Sequence, residues 1–165
     1  MIPIRKPRQG DGTAIARMMR ENAAYYARLA PDLFRIPDVE GADGFAGPKP
    51  GDNPETALAL VAEIDGEVAG YLEARLEPPL ESARWQNQPE LGTTRLFINF
   101  VETAPKHQRR GVATRLVDAA EAWGRDRGAS AAVCDTWIDS PLSMPFWRHR
   151  MGYVPRGVIF RKTLT

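Results

Sequence analysis

A basic turn ahead of a helical stripe is the part of this sequence whose residue types and spacing suggest chemistry. Residues 103–116 read TAPKHQRRGVATRL, with positive charge at Lys106, Arg109 and Arg110. The first turn of a helix leaves backbone N–H groups unpaired and so attracts anions, and arginines add charge-assisted hydrogen bonds. Gly111 lets the backbone come close to a bulky ligand because glycine has no side chain. The pattern predicts a phosphate-binding turn.

This turn matches neither of two common phosphate-binding loops. The sequence contains no G-x-x-x-x-G-K-[ST] and no G-x-G-x-x-G pattern, which excludes a Walker loop and a dinucleotide fingerprint. Ala113 is small enough to allow close approach, and the Thr114 hydroxyl can add a hydrogen bond. A solvated basic helix start without any ligand is the alternative interpretation.

Hydrophobic periodicity predicts the elements that must hold the basic turn in place. Asp11 is the expected N-cap of the first helix, Asp65-Gly66 the expected hairpin turn, and Gly128 the expected cap after the second helix. We expect strands at residues 2–8, 56–64, 67–77, 96–101, 131–138 and 158–163, helices at 11–30, 112–127 and 142–151, and loops at 37–54 and 81–94. This order indicates an α/β fold with a mixed sheet.

Composition narrows the class of protein. The chain has 165 residues, 43% of them hydrophobic and 26% charged, so we expect a single domain over residues 1–165. A net charge of +1 argues against a protein that coats nucleic acid. The single cysteine, Cys134, is expected in the core of a protein from a reducing compartment. Without a long apolar run or a secretory leader, we expect a cytoplasmic protein with no membrane partner.

The basic turn and its context resemble the GNAT superfamily of acetyltransferases. The family signature, [Gln/Arg]-x-x-Gly-x-[Gly/Ala] between a central strand and a helix, is matched by Gln108, Gly111 and Ala113. Pro105 stands where the family commonly has a proline, and residues 146–153 are similar to its Phe-Tyr…Gly-Phe segment. The resemblance implies a mostly antiparallel central sheet flanked by helices. It also implies acetyl-CoA (coenzyme A) as cosubstrate, no metal, a small-molecule amine acceptor and a possible homodimer.

The resemblance further implies roles for individual residues. The backbone of Val101 and Thr103 would hydrogen-bond the pantetheine arm, and the Val101 N–H would stabilise charge that develops on the thioester oxygen. The other residues expected around the donor are Gln108, Arg109, Arg110, Gly111, Val112, Ala113, Thr114, Ser140 and Trp147. The implied reaction is direct attack of an amine on the acetyl thioester, so the site must deprotonate an ammonium and reprotonate a thiolate.

Three positions depart from the family pattern. Thr103 replaces an aliphatic residue whose contact is made by backbone, and Ser140 replaces an asparagine but keeps a hydrogen-bond donor. Trp147 stands where many members carry the tyrosine that protonates the thiolate. An indole N–H is too weak an acid for that task. Tyr153 is the nearest alternative, but the resemblance implies that it packs as an aromatic core residue, so water is the expected proton source.

The sequence leaves the general base open. Phe97 occupies the strand position where some relatives carry a glutamate. Asp135 is the first candidate, Glu102 the second and Glu90 the third, with a surface or salt-bridged carboxylate as the alternative for each. His107 lies inside a basic cluster, which favours phosphate contact over catalysis.

Three functions follow from these observations. The leading hypothesis is an acetyl-CoA-dependent N-acetyltransferase that acts on a primary amine of a small molecule. A non-catalytic acyl-CoA-binding or sensory domain is the alternative, favoured by the missing tyrosine acid and glutamate base. A polyanion-binding module is a third, which the near-zero net charge weakens.

Overall fold

The computed structural model describes residues 2–38 and 53–162. Most of the expected loop at 37–54, and residue 163 of the expected last strand, lie outside the described residues. The chain divides into two compact units, one ending at Cys134 and one beginning at Asp135. Among the described residues, no helix combines the length and the apolar character that a membrane span requires.

A five-stranded sheet forms the centre of the first unit. Its strands are β1 (Ile4–Arg5), β2 (Ala57–Ile64), β3 (Glu67–Glu77), β4 (Arg95–Thr103) and β5 (Ala131–Cys134), and its helices are α1 (Asp11–Leu29) and α2 (Val112–Asp126). The strands lie in the order β1-β2-β3-β4-β5, with β4 and β5 parallel and all other pairs antiparallel. The expected mixed, mostly antiparallel sheet flanked by helices is confirmed.

Turn and cap residues account for where several elements begin and end. The hairpin between β2 and β3 turns at Asp65 and Gly66, which have φ of 52° and 78°, as the Asp-Gly pair predicts. Gly128 has φ of 81° just beyond α2, so its expected capping role is confirmed. β1 is shorter than expected because Pro3 and Pro7 flank it and have no N–H to donate.

The expectation that Asp11 caps α1 is wrong by one residue. Gly10 is the N-cap, with φ of 93°, and Asp11 is the first helical residue. The Asp11 carboxylate instead accepts two hydrogen bonds from the Arg5 guanidinium, at 2.7 and 3.0 Å, and one from the Arg8 N–H at 2.8 Å. The hydrogen bond from Arg5 lowers the pKa of Asp11 and ties the start of α1 to β1.

The two helices cover opposite faces of the sheet. On the α1 face, Ile15 and Met18 pack in one buried cluster with Val61 and Tyr71. On the other face, Val112 and Leu116 of α2 approach Gly70 of β3. Gly70 and Tyr71 are consecutive, so their side-chain directions alternate across the sheet. Successive side chains along β3 therefore face α1 and α2 alternately, and the same alternation holds along β4 on each side of a bulge.

Gly70 predicts a measurable packing limit. A Cβ atom at this position would lie 2.5 Å from Val112 Cγ1 and 2.9 Å from the Glu102 carbonyl oxygen, and neither a β-branched side chain nor a strand backbone yields easily. We expect Gly70→Ala to lower the free energy of unfolding by about 1–3 kcal/mol, measured by urea titration. Gly92→Ala is the control, because its nearest neighbour would lie 3.7 Å away and its stability should change little. Equal stability of both variants would contradict the packing argument.

The second unit contains a short helical segment and an extended end. Helix α3 (Ser143–Pro145) continues into a π-helical turn at Phe146–Arg150, which confirms a helical segment at 142–151. Pro145 is tolerated there because the first N–H groups of a helix lack intrahelical partners in any case. Trp147 is 6% exposed and packs on Phe146 and Tyr153, with ring centroids 5.0 and 4.8 Å apart.

The expected last strand at 158–163 is wrong over its described part. Residues 158–162 have no strand partner among the described residues. Val158, Ile159 and Phe160 are 57%, 89% and 92% exposed. An apolar run satisfies the sequence pattern of a strand, but a strand also requires a neighbouring backbone to complete its hydrogen bonds.

Candidate functional site

The C-terminal half of β4 has one open edge. A bulge interrupts its pairing with β3, since Ile98 pairs with Ala74 and Phe100 with Glu73, which leaves Asn99 unpaired. On the other side, β5 ends opposite Ile98, although the sequence predicted a strand as far as residue 138. From Asn99 to Thr103 the second edge of β4 therefore lacks a strand partner among the described residues. The backbone groups of Val101 and Thr103 belong to this open stretch.

Glu102 is a half-buried carboxylate in the same stretch. It pairs with Tyr71 of β3, which places its side chain on the face that α1 covers. Burial raises the pKa of Glu102 to about 7, and a hydrogen bond from Asn22 opposes that rise. The Asn22 amide lies 2.8 Å from Glu102 Oε2 and 3.2 Å from the Thr103 carbonyl oxygen. A carboxylate with a pKa near neutrality can exchange protons with an amine.

The basic turn between β4 and α2 has the backbone shape of an anion site. A 3-10 turn at Pro105–His107 leads to Gln108, and Arg109 and Gly111 then adopt left-handed conformations with φ of 61° and 84°. Gly111 is the N-cap of α2, and no side chain caps the helix there. The volume beside Gly111 is open, with no atom within 4 Å of a Cβ position. An uncapped helix start with open space above it suits an anionic ligand.

Side chains around this turn divide between core and solvent. Val112 is 1% exposed and packs against β3, so it offers a ligand its backbone alone, as does the small Ala113. The guanidinium groups of Arg109 and Arg110 are exposed. Thr114 lies in the first turn of α2. Together with Gln108 they form a surface whose charge and backbone geometry fit a pyrophosphate.

His107 lies beneath the basic turn rather than on it. Its side chain is 8% exposed, and Nδ1 lies 3.1 Å from Nη1 of Arg110. Lys106 pairs with Glu67 of β3, whose carboxylate also lies 3.8 Å from His107 Nε2. The structure thus gives His107 a role in holding Arg110. Direct phosphate contact by this buried ring, as the sequence suggested, is not supported.

Three of the site residues predicted from sequence, Asp135, Ser140 and Trp147, belong to the second unit. Asp135 is its first residue, lies one position beyond β5 and is exposed. Ser140 is 2% exposed, and its hydroxyl accepts a hydrogen bond of 3.0 Å from the Ser143 N–H. This bond ties Ser140 to the first residue of α3 and gives Ser140 a structural reason to be a hydroxyl residue. The roles expected for Ser140, Trp147 and Asp135 stay predictions.

The other side chains that the sequence singled out have structural partners or surface positions. The Arg75 guanidinium lies over the Phe97 ring, with its central carbon 4.5 Å from the ring centroid. A phenyl ring has no titratable group, so Phe97 cannot act as the base. Glu90 lies in a 3-10 turn at Pro89–Gly92, and Cys134 is half-buried at the end of β5. No group of three or more His, Cys, Asp or Glu side chains in residues 2–38 and 53–162 is arranged to hold a metal ion.

A cavity of about 480 Å³ opens between α1 and the turn that follows β4. Its wall carries two cations and one carboxylate. The lining residues are Ala14, Arg17, Glu21, Val68, Ala104, Pro105 and Lys106. This cavity borders the basic turn but does not include Glu102.

Asn22 is the residue of this site that sequence reasoning missed. It follows Ile15 and Met18 on the buried stripe of α1, at a spacing of three and four residues. The sequence signal that could have identified Asn22 is its polarity. A polar side chain on an apolar stripe requires a hydrogen-bond partner inside, which here is the Glu102 carboxylate.

Comparison with known proteins assigns the chain to a family. The sequence profile of the acetyltransferase (GNAT) family matches residues 17–153. This range covers more than half of the chain and includes β4, the basic turn and α2. The chain belongs to the GNAT family of acetyltransferases, and the family expected from the signature is confirmed.

Two curated relatives and one solved structure are similar to it. Aminoglycoside N(6')-acetyltransferase type 1 of Klebsiella aerogenes is 32% identical over 90 residues, which are 54% of this chain and 54% of that protein. Thus the match spans about half the length of that relative. Streptothricin acetyltransferase of Streptomyces lavendulae is 26% identical over 151 residues, 90% of this chain and 67% of that protein. A transcriptional regulator from Bacillus halodurans shares the fold, with a TM-score of 0.70 and 18% identity over 99% of this chain and all of that chain.

Proposed function

We propose that this chain is an N-acetyltransferase that moves an acetyl group from acetyl-CoA to a primary amine of a small molecule. Family membership and the acetyltransferase names of both curated relatives support the reaction class. The observation that carries the proposal is a single continuous segment. β4 presents the half-buried Glu102 carboxylate beside an open strand edge, and the same chain then runs into the uncapped start of α2.

The donor half of the proposed site is built mainly from backbone. The open edge of β4 offers the peptide groups of Val101 and Thr103 to the pantetheine arm. The residues that would hold the pyrophosphate are Gln108, Arg109, Arg110, Gly111, Val112, Ala113 and Thr114. Acetyl-CoA supplies the acyl thioester, and the Val101 N–H is the proposed donor to its oxygen.

Glu102 is the proposed general base. An amine must lose a proton to attack, and a carboxylate with a pKa near 7 can accept that proton at neutral pH. Among the described residues, Asn22 is the hydrogen-bond partner of the carboxylate and occupies Oε2, which leaves Oε1 to accept. Asp135, the first candidate from sequence, is exposed, whereas Glu102 is half-buried beside the open edge of β4. Water remains the proposed proton donor to the thiolate.

The proposed acceptor is a cationic amine. The names of the two curated relatives specify an aminoglycoside and streptothricin. On this chain, Glu73 and Glu102 lie on the α1 face of neighbouring strands, with the Tyr71 hydroxyl 2.7 Å from Glu73 Oε1. Carboxylates on one face favour an ammonium over an anionic substrate.

A thermal-shift assay and a thiol-release assay test the two halves of the proposal. We expect saturating acetyl-CoA to raise Tm by several degrees, because a ligand at about 100 times its Kd stabilises by about 2.7 kcal/mol. Aminoglycosides, streptothricin and polyamines should release free thiol, with acidic amino acids as the negative control. A Tm shift without thiol release from any amine would favour the non-catalytic binding domain, and no shift would contradict the donor site.

A further inference from the structure

The Asn22 side chain makes an unusual double contact. Its amide nitrogen lies 2.8 Å from Glu102 Oε2 and 3.2 Å from the carbonyl oxygen of Thr103. An amide NH2 group has two hydrogens, so one donor serves each acceptor. Both acceptors belong to consecutive residues of β4, one through its side chain and one through its backbone. One side chain thus fixes the carboxylate relative to the end of its own strand.

Helix α1 holds this amide at a defined place. The ion pair between Arg5 and Asp11 fixes the start of the helix, and Ile15 and Met18 are 0% and 2% exposed. A helix held at its start and along its buried face gives a residue one turn further on little freedom to move. Asn22 follows Met18 by four residues and shares that face.

Removal of the amide would leave Glu102 without a hydrogen bond among the described residues. On the neighbouring strand β3, Tyr71 and Glu73 are titratable groups on this face, and they are bonded to each other at 2.7 Å. Neither would replace the Asn22 donor, since the Tyr71 hydroxyl is directed to Glu73. The carboxylate would keep its burial and lose the contact that favours its charged form.

We propose that Asn22 is a positioning residue that orients the Glu102 carboxylate and fixes it to the end of β4, so that Oε1 faces the amine. This inference rests on the proposed function of Glu102 as the base. It assigns to α1 a part in the reaction that the family signature in the basic turn does not specify.

The test is the pH profile of kcat/KM in matched variants. Asn22→Leu removes the amide at similar volume, and Asn22→Gln keeps it. The Asn22 hydrogen bond lowers the pKa of Glu102. In the pH profile of kcat/KM, we therefore expect the acid limb of the Asn22→Leu variant to move to higher pH by about one pH unit. The rate should then fall roughly tenfold at about pH 6 and less than about twofold at about pH 9. Asn22→Gln should recover part of the loss, and KM for acetyl-CoA should stay within about twofold.

The outcomes separate this inference from the proposed function. If Glu102→Gln retains full activity, the assignment of the base fails and the inference fails with it. If Glu102→Gln is inactive but Asn22→Leu shows the wild-type acid limb, or an equal loss at every pH, then Asn22 is only structural. In the Glu102→Gln background, Asn22→Leu should change the residual rate by less than about twofold. Asn22→Ser repeats the measurement should the leucine variant fail to fold, with the same shift expected.

Discussion

Replacement of Glu102 by glutamine is expected to reduce kcat by roughly 100- to 10,000-fold, the usual contribution of a positioned general base. Glutamine preserves the volume and the Asn22 contact but cannot accept a proton. The acetyl-CoA Kd should stay within about twofold, because the basic turn and α2 are unchanged. Steady-state kinetics and calorimetric titration with acetyl-CoA measure the two quantities separately, and Glu81→Gln, at an exposed carboxylate, is the control.

The pH dependence of the wild-type rate belongs to the same prediction. The base works in its ionised form, so kcat/KM should fall about tenfold per pH unit below the Glu102 pKa of about 7. The small residual rate of Glu102→Gln should lack this limb. A variant with the wild-type limb and near wild-type rate would place the base elsewhere, with Asp135 as the next residue to replace.

Glu102→Gln is expected to lower the rate but to raise the free energy of unfolding at neutral and higher pH. The folded-state pKa of Glu102 lies above the ordinary value of 4.5, so the folded protein holds this proton more tightly than the unfolded chain. Its contribution to the free energy of unfolding is therefore full below pH 4.5 and is lost as pH rises to about 7. The loss amounts to roughly 3 kcal/mol, at 1.36 kcal/mol per pKa unit. Glu102→Gln should be more stable than the wild type at pH 8 and similar at pH 4, by urea titration.

Charge reversal in the basic turn has the second largest expected effect. Arg109→Glu combined with Arg110→Glu should weaken acetyl-CoA binding by at least about 100-fold and abolish its thermal shift, since two charge-assisted donors become two repelling carboxylates. Arg125→Glu with Arg127→Glu makes the same change in net charge at the other end of α2. This control pair should leave Kd within about threefold.

Salt dependence adds a second readout to this pair of variants. Exposed arginines bind a pyrophosphate less tightly at high ionic strength, because the attraction is screened over about 10 Å at 0.1 M salt. The wild type should therefore lose affinity as salt rises, and the turn variant should show a flat response. An unchanged Kd in the Arg109 and Arg110 variant would remove the phosphate assignment from the turn.

Local signals allowed the turns and helix starts around the proposed donor site to be predicted from sequence. Asp65-Gly66 specifies a turn by itself, and Gly111 ahead of the α2 stripe specifies a helix start. Both depend on neighbours within a few residues. The sequence also reached Glu102, but ranked it below Asp135, because burial depends on the packing of α1 and β3 against β4.

Features that depend on distant contacts were not predicted. The Asn22–Glu102 hydrogen bond joins residues 80 positions apart, and no local pattern specifies that distance. The expected strand at 158–163 followed from apolar residues alone, whereas a strand depends on which backbone lies beside it. Asp11 looked like a cap, but Arg5 binds its carboxylate and Gly10 takes the cap position. In each case a tertiary partner overrode the local preference.

The contact between Arg110 and His107 has a consequence for the charge of the basic turn. A guanidinium can only donate, so in this contact Nη1 of Arg110 donates and Nδ1 of His107 accepts. The ring is buried, and its Nε2 has no hydrogen-bond partner among the described residues. The imidazole therefore acts as a fixed support that orients the Arg110 guanidinium from the inner side of the turn. The positive charge offered to a ligand on the outer side is carried by the exposed Arg109 and Arg110.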